Sequence, residues 1–211
     1  MTTMGKIFVA AGLFAILALP ATAEARIPQE GECSRRVSTF QRSLSALGYA
    51  VGAIDGCYGT ATSGGLRALQ HAEGLPSSGK ATAATLRALR RAEPPRPAVR
   101  GEGTHIEVDL GRQLLLVVTD GKLEAAYAVS TGRPGFETPR GRFKVTRKEV
   151  RSWSVPYSVW LPWASYFNQG IAVHAGVLPG YPASHGCVRV PAPFASHIFR
   201  RMPVGTMVVV R

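Results

Sequence analysis

The chain changes its hydrophobic period once, across a proline-rich seam. Before residue 93 the apolar residues recur every three or four positions; from Thr104 onward they alternate; Pro94-Pro95-Arg96-Pro97 lies between. A helix buries a stripe of period 3.6 and a strand one face of period two, so the seam separates a helical part from a mostly β part. Prolines remove backbone donors and hold the preceding residue extended. The run therefore reads as a semi-rigid linker. The expected organisation is a signal segment over 1–25, a helical domain over 33–92, a linker over 93–102 and a second domain over 103–211. The fold class is α+β: a small three-helix bundle, then a mostly β domain with one late helix.

In the helical part Val37, Phe40, Leu44 and Leu47 share one face, and Gly48 ends that helix as a C-terminal glycine does. A glycine-rich loop with an Asp55-Gly56 turn follows. Thr60 or Thr62 is expected to cap a second helix running through Leu66 and Leu69 to near Gly74. Thr82 caps a third, carrying Leu86 and Leu89, which Pro94 and Pro95 stop. Such a bundle, about 60 residues, is marginal without a staple. A Cys33–Cys57 bridge would supply one, worth roughly 3 kcal/mol by loop entropy.

That bridge needs an oxidising compartment, and the N-terminus points to one. Lys6 precedes an apolar run over 7–19, followed by the small-x-small pattern Ala21-Thr22-Ala23, a secretory signal cleaved after Ala23 or Ala25. The apolar run is shorter than the ~20 residues that span a bilayer, so no stable membrane span is expected after cleavage. Lys and Arg number 25 against 13 Asp and Glu, a formal net charge of +12. Anionic partners follow, but export argues against nucleic acid.

In the second part 105–110 alternates strictly, and Asp120-Gly121 reads as a tight hairpin turn between two β runs. His105 is expected at the surface. The Gly- and Pro-rich stretch 131–141 is a loop. The aromatics between Trp153 and Phe167 are expected mainly in the core, with a binding groove as the alternative. Residues 170–173 should be a strand ending at His174. Pro191 suits the first turn of a helix presenting Phe194, Ile198 and Met202, and 207–210 a closing strand.

The chemistry concentrates late. His174 precedes Ser184-His185-Gly186-Cys187-Val188-Arg189, and Cys187 is the cysteine left over once Cys33 and Cys57 pair. A thiol near pH 7 is mostly protonated, and a neighbouring imidazole makes it a nucleophile. Cys187 is the candidate nucleophile. Either His174 or His185 is a candidate base, since His185 shares a face with Cys187 on an extended segment. Gly186 lets backbone amides approach a developing oxyanion, and the planar fork of Arg189 suits a carboxylate. His174, His185 and Cys187 as zinc ligands lack a fourth partner at ligand spacing; neither metal nor cofactor is expected.

The ordered set His174, Ser184, His185, Gly186, Cys187 and Arg189 resembles the signature of the L,D-transpeptidase (YkuD) family, with the Thr131-Gly132…Thr138-Pro139-Arg140-Gly141 loop as a further matching element. The resemblance implies a YkuD-like β sandwich and a partner in peptidoglycan stem peptides. It makes His174 the base, oriented by the Ala175 carbonyl. His185, Gly186 and Cys187 then shape the oxyanion hole, with Ser184 in support. It also implies acylation of Cys187 by a carbapenem. The helical part, from Leu44-x-x-Leu47-Gly48-Tyr49 through Asp55-Gly56 to Leu69-Gln70, resembles the peptidoglycan-binding type 1 domain. It departs at Leu69, where that family usually has an aromatic. The alternatives are an L,D-carboxypeptidase, or a wall-binding protein whose cysteine domain is a relic.

Overall fold

The computed structural model describes residues 27–211. The expected signal segment therefore lies outside the described residues. Among those described, no helix is long and apolar enough to cross a membrane.

Three helices come first: α1 (Arg35–Ala46), α2 (Thr60–Ala72) and α3 (Ala83–Arg91). Ser34 caps α1 by accepting from the Val37 amide, and Thr82 caps α3 reciprocally with Thr85. At the end of α1, Gly48 takes φ +82°, and the Gly48 and Tyr49 amides return to Ser45 and Leu44. These bonds satisfy carbonyls that the helix would leave open. The expected caps of α2 are corrected: its N-cap is Gly59, with no side-chain cap bond. Thr62 lies inside the helix, where its hydroxyl accepts from buried Gln41 at 3.0 Å. Gln41 also accepts the Gly56 amide at 2.9 Å, tying the loop to α1. Cys33 and Cys57 are joined by a disulfide.

The second part is a sandwich of two sheets. The first orders its strands β3 (Lys122–Ala128), β2 (Leu114–Thr119), β1 (Thr104–Asp109), β9 (Met207–Val210) and β4 (Gly141–Lys144). The second orders β5 (Arg147–Ser154), β6 (Val159–Asn168), β7 (Ile171–Ala175) and β8 (Val188–Val190). Helix α4 (Ala192–Arg200) packs against β6 and β7. Pro191 stands at its N-cap, one position earlier than the first turn, and Pro193 within it. Between the layers lies one core, including Ile106, Val108, Leu115 and Val117 from the first sheet, Val173 and Val188 from the second, and Phe194 and Ile198 from α4.

The first sheet is covered on its other face too. Leu114, Leu116, Val118, Ala126 and Ala128 share a core with Val37, Leu44, Leu66 and Leu69 of the helices. The chain after α1 even extends the sheet, since the Ala50 amide donates to the Ala126 carbonyl and the Ala126 amide to that of Gly48. Gly65 permits this closeness: a Cβ there would fall 2.6 Å from the Ala50 carbonyl oxygen.

Coverage on both faces overturns the expected surface position of His105. It is buried, with Nε2 3.3 Å from the Glu107 carboxylate. Glu107, fully buried, in turn accepts the Ala98 and Val99 amides at 2.8 Å each. The proline-rich segment is thus strapped to β1 by two charge-assisted bonds.

The aromatic stretch proves to be mostly the β5–β6 hairpin, and its side chains divide. Tyr166 and Phe167 are buried, whereas Trp153, Tyr157 and Trp160 are exposed near the tip, against the expectation that the cluster is mainly core. Among the described residues nothing buries these three rings fully.

Candidate active site

β7 and β8 run parallel, with Val173 opposite Val188 and His174 opposite Arg189. Cys187 precedes β8 directly and shares the face of Arg189, two residues on. The register of one strand pair thus brings His174, Cys187 and Arg189 to one side of the sheet. All three line a cavity of about 750 Å³, together with Ser184, His185, Tyr157, Trp153 and Trp160.

His174 is buried, and its Nδ1 lies 2.8 Å from the Ala175 carbonyl oxygen. A carbonyl only accepts, so Nδ1 carries the proton and Nε2 keeps its lone pair. Burial lowers the imidazole pKa below its ordinary value; the Ala175 carbonyl opposes this and the Arg189 charge reinforces it. Burial also pushes the Cys187 thiol up, against the Ala172 backbone and Arg189, which favour the thiolate. Imidazole and thiol therefore both rest neutral near pH 7.

The turn carrying Cys187 is held from one direction. The Ala183 and Ser184 amides both donate to the Thr131 carbonyl, at 2.9 and 3.0 Å, and the Arg133 amide donates to Ser184 at 3.0 Å. The Ser184 hydroxyl donates to the Cys187 carbonyl at 2.5 Å and accepts the Gly186 amide at 3.1 Å. Thr138 donates to the Gly186 carbonyl at 2.8 Å while accepting the Gly132 amide at 3.0 Å. Gly186 itself takes φ +108°, a region open to glycine. Gly132 is equally constrained, since a Cβ there would fall 2.0 Å from the Phe136 carbonyl oxygen.

These bonds alter the set of amides available to an oxyanion. That of Gly186 is committed to Ser184. Among the described residues, the His185 and Cys187 amides have no acceptor.

His185 sits between two rings, stacked on Tyr157 at 4.4 Å and edge-on to Phe136 at 4.8 Å. Desolvation, then Arg133 and Arg189, lower its pKa. Arg189 lays its stem over Gly176, where a Cβ would fall 2.9 Å from Cγ. Among the described residues no carboxylate pairs with it.

Thr138 stood within the Thr-Pro-x-Gly element, but nothing in the spacing says that its hydroxyl bridges Gly132 and Gly186. That Tyr157 stacks on His185 is likewise not written in the alternation of its segment.

Residues 103–210 match the family model described as "L,D-transpeptidase catalytic domain" (YkuD), and residues 34–89 the model described as "Putative peptidoglycan binding domain". The crystal structure of an L,D-transpeptidase from Xylanimonas cellulosilytica is 33% identical. It superposes with a TM-score of 0.80, over 92% of this chain and 100% of that one. An L,D-transpeptidase from Stackebrandtia nassauensis is 27% identical, with a TM-score of 0.56 over 88% and 97%. Among curated proteins, the chain is 28% identical over 113 residues to "Putative L,D-transpeptidase YqjB" of Bacillus subtilis. That match spans 46% of this chain and 64% of the relative, less than two thirds of its length.

Proposed function

The chain belongs to the YkuD family of L,D-transpeptidase catalytic domains, and from that premise we propose that it is an exported enzyme forming peptidoglycan cross-links through a Cys187 thioester. The observation that carries the proposal is the convergence of Cys187, Arg189 and a tautomer-fixed His174 in one cavity.

The substrate is a stem tetrapeptide whose third residue presents an L-centre bonded to a terminal D-alanine. His174 Nε2 takes the thiol proton as Cys187 Sγ attacks the third carbonyl carbon. The His185 and Cys187 amides receive the negative charge that develops on the carbonyl oxygen. The C–N bond then breaks, and the imidazolium returns its proton to the departing D-alanine amine. A thioester remains. An amine of a second stem attacks it, loses a proton to His174, and leaves as the cross-linked amide while Cys187 regains its hydrogen. Protons and charges balance without a cofactor. Arg189 holds a substrate carboxylate bidentately. Ser184 and Gly186 shape the turn, and His185 contributes its amide while its ring forms part of the wall.

The disulfide and the wall-directed family of both parts support export to the periplasm or cell wall. Division into a wall-binding module at 33–92, a linker at 93–102 and a catalytic domain at 103–211 is part of the same proposal.

Incubation of purified protein with defined muropeptides, followed by mass measurement, tests it. Cross-linked dimer with free D-alanine is expected, together with a thioester adduct that C187A abolishes. Free tripeptide without dimer would make it a carboxypeptidase. No adduct and no product would leave a wall-binding protein with a relic site.

A further inference from the structure

The tip of the β5–β6 hairpin is apolar yet largely exposed among the described residues. Of the eleven large apolar side chains exposed among the described residues, six lie within 150–160. Such concentration marks an interaction surface. At its centre Trp153 and Trp160 face each other across the strands, with ring centroids 5.0 Å apart at 63°. They remain 47% and 44% exposed. The Arg151 guanidinium lies 4.0 Å from the Trp160 ring centroid. Both indoles line the cavity that also holds Cys187.

Their place along the cavity fits one part of the substrate. β6 pairs with β7 so that Ser165 stands opposite Val173. Continuing that register sets Ala164 level with His174, and Trp160 four residues closer to the hairpin tip. At about 3.3 Å per residue, the indole pair lies roughly 13 Å beyond the level of His174. In a stem peptide the attacked carbonyl is on the third residue, and the N-terminal end is joined to the sugar. Three extended residues span about 10 Å. A stem lying from Cys187 toward the hairpin thus delivers its sugars to the two indoles.

We propose that Trp153 and Trp160 form a saccharide-stacking platform for the glycan that carries the donor stem. Pyranose rings present apolar C–H faces that match an indole, while the Arg151 fork offers donors to hydroxyls at the edge. The assignment rests on Cys187 as the reacting thiol.

The test compares D-alanine release from a free stem tetrapeptide with release from the same tetrapeptide borne on a glycan chain. For W153A/W160A, KM for the glycan-borne substrate should rise about tenfold or more, with both parameters for the free peptide within about twofold of the parent protein. W153Y/W160Y keeps aromatic faces and should restore the difference between the substrates. Separately, soluble β-1,4-linked N-acetylglucosamine oligomers should change the tryptophan fluorescence of the parent protein but not of W153A/W160A. Equal loss on both substrates, loss on neither, or loss accompanied by disruption of a dimer would overturn the platform. A parent protein inactive on both substrates would sink the thioester mechanism instead, and the fluorescence titration would still decide the platform.

Discussion

The His174 imidazole and the carbonyl of its own neighbour, Ala175, are 2.8 Å apart. A backbone atom thereby does what a separate carboxylate does in many triads: it fixes the tautomer without placing a second charge in the cavity. Because the proposed mechanism uses His174 as neutral imidazole and burial lowers its pKa, the acid limb of the kcat/KM profile should lie below pH 6.5, with activity falling as pH drops through it. H174A should cost about 10²–10⁴-fold in turnover. Steady-state D-alanine release from pH 4.5 to 9 reads both effects.

Arg189 opposes protonation of His174 and favours the Cys187 thiolate. R189Q should therefore move both transitions upward. The acid limb rises because the imidazole binds its proton more readily, and the thiol titrates higher because its anion loses a nearby cation. Iodoacetamide labelling of Cys187 against pH, followed by mass spectrometry, measures the second shift. In the parent protein that curve should already lie above the range of an ordinary thiol.

The Thr138 hydroxyl joins two strangers, the Gly132 amide and the Gly186 carbonyl. T138V keeps the shape and strands both groups where water does not reach, at about 1–3 kcal/mol each. Since the turn positions Cys187, kcat should fall by about 10²-fold with a smaller change in KM. Valine variants that melt lower yet retain full kcat would show that the bridge stabilises without positioning.

The buried Glu107 side chain accepts two backbone amides of the proline-rich segment and also lies near His105 and Arg211. E107A removes the acceptor of both and should destabilise the protein by about 1–3 kcal/mol. Urea unfolding is the measurement. E107Q, which keeps one acceptor oxygen, should cost less.

A fragment spanning 103–211 lacks the helices that cover Leu114, Leu116 and Val118. It should aggregate or bind a hydrophobic dye such as ANS, and polar substitutions at those three positions should rescue its solubility. A soluble, dye-silent fragment of native sequence would show that the shared core is dispensable.

The helices were legible because each is short and amphipathic, and α1 and α3 are bounded by their own caps, whereas α2 starts from Gly59 without a side-chain cap. Thr82 and Gly48 act locally, so local sequence suffices for them. His105 was not legible. Alternation along β1 names two faces but cannot say that the one carrying both His105 and Glu107 lies beneath the strapped segment. Trp163, at φ +58° within β6, and Pro162 beside it break the period that would have announced the hairpin. In the candidate site the thirteen-residue gap between His174 and Cys187 conceals a parallel strand pair, so sequence alone kept both histidines open as the base. The register sets His174 beside Arg189, and two aromatic rings enclose His185.

The strap between Glu107 and the Ala98 and Val99 amides removes the slack that a free tether would give. A hook on a loose cord sweeps a volume; a hook bolted to its handle touches only what lies at one span. If the helices grip the wall, Cys187 works at a set distance from that grip, and the dimensions of the folded chain decide which neighbouring strands come within reach.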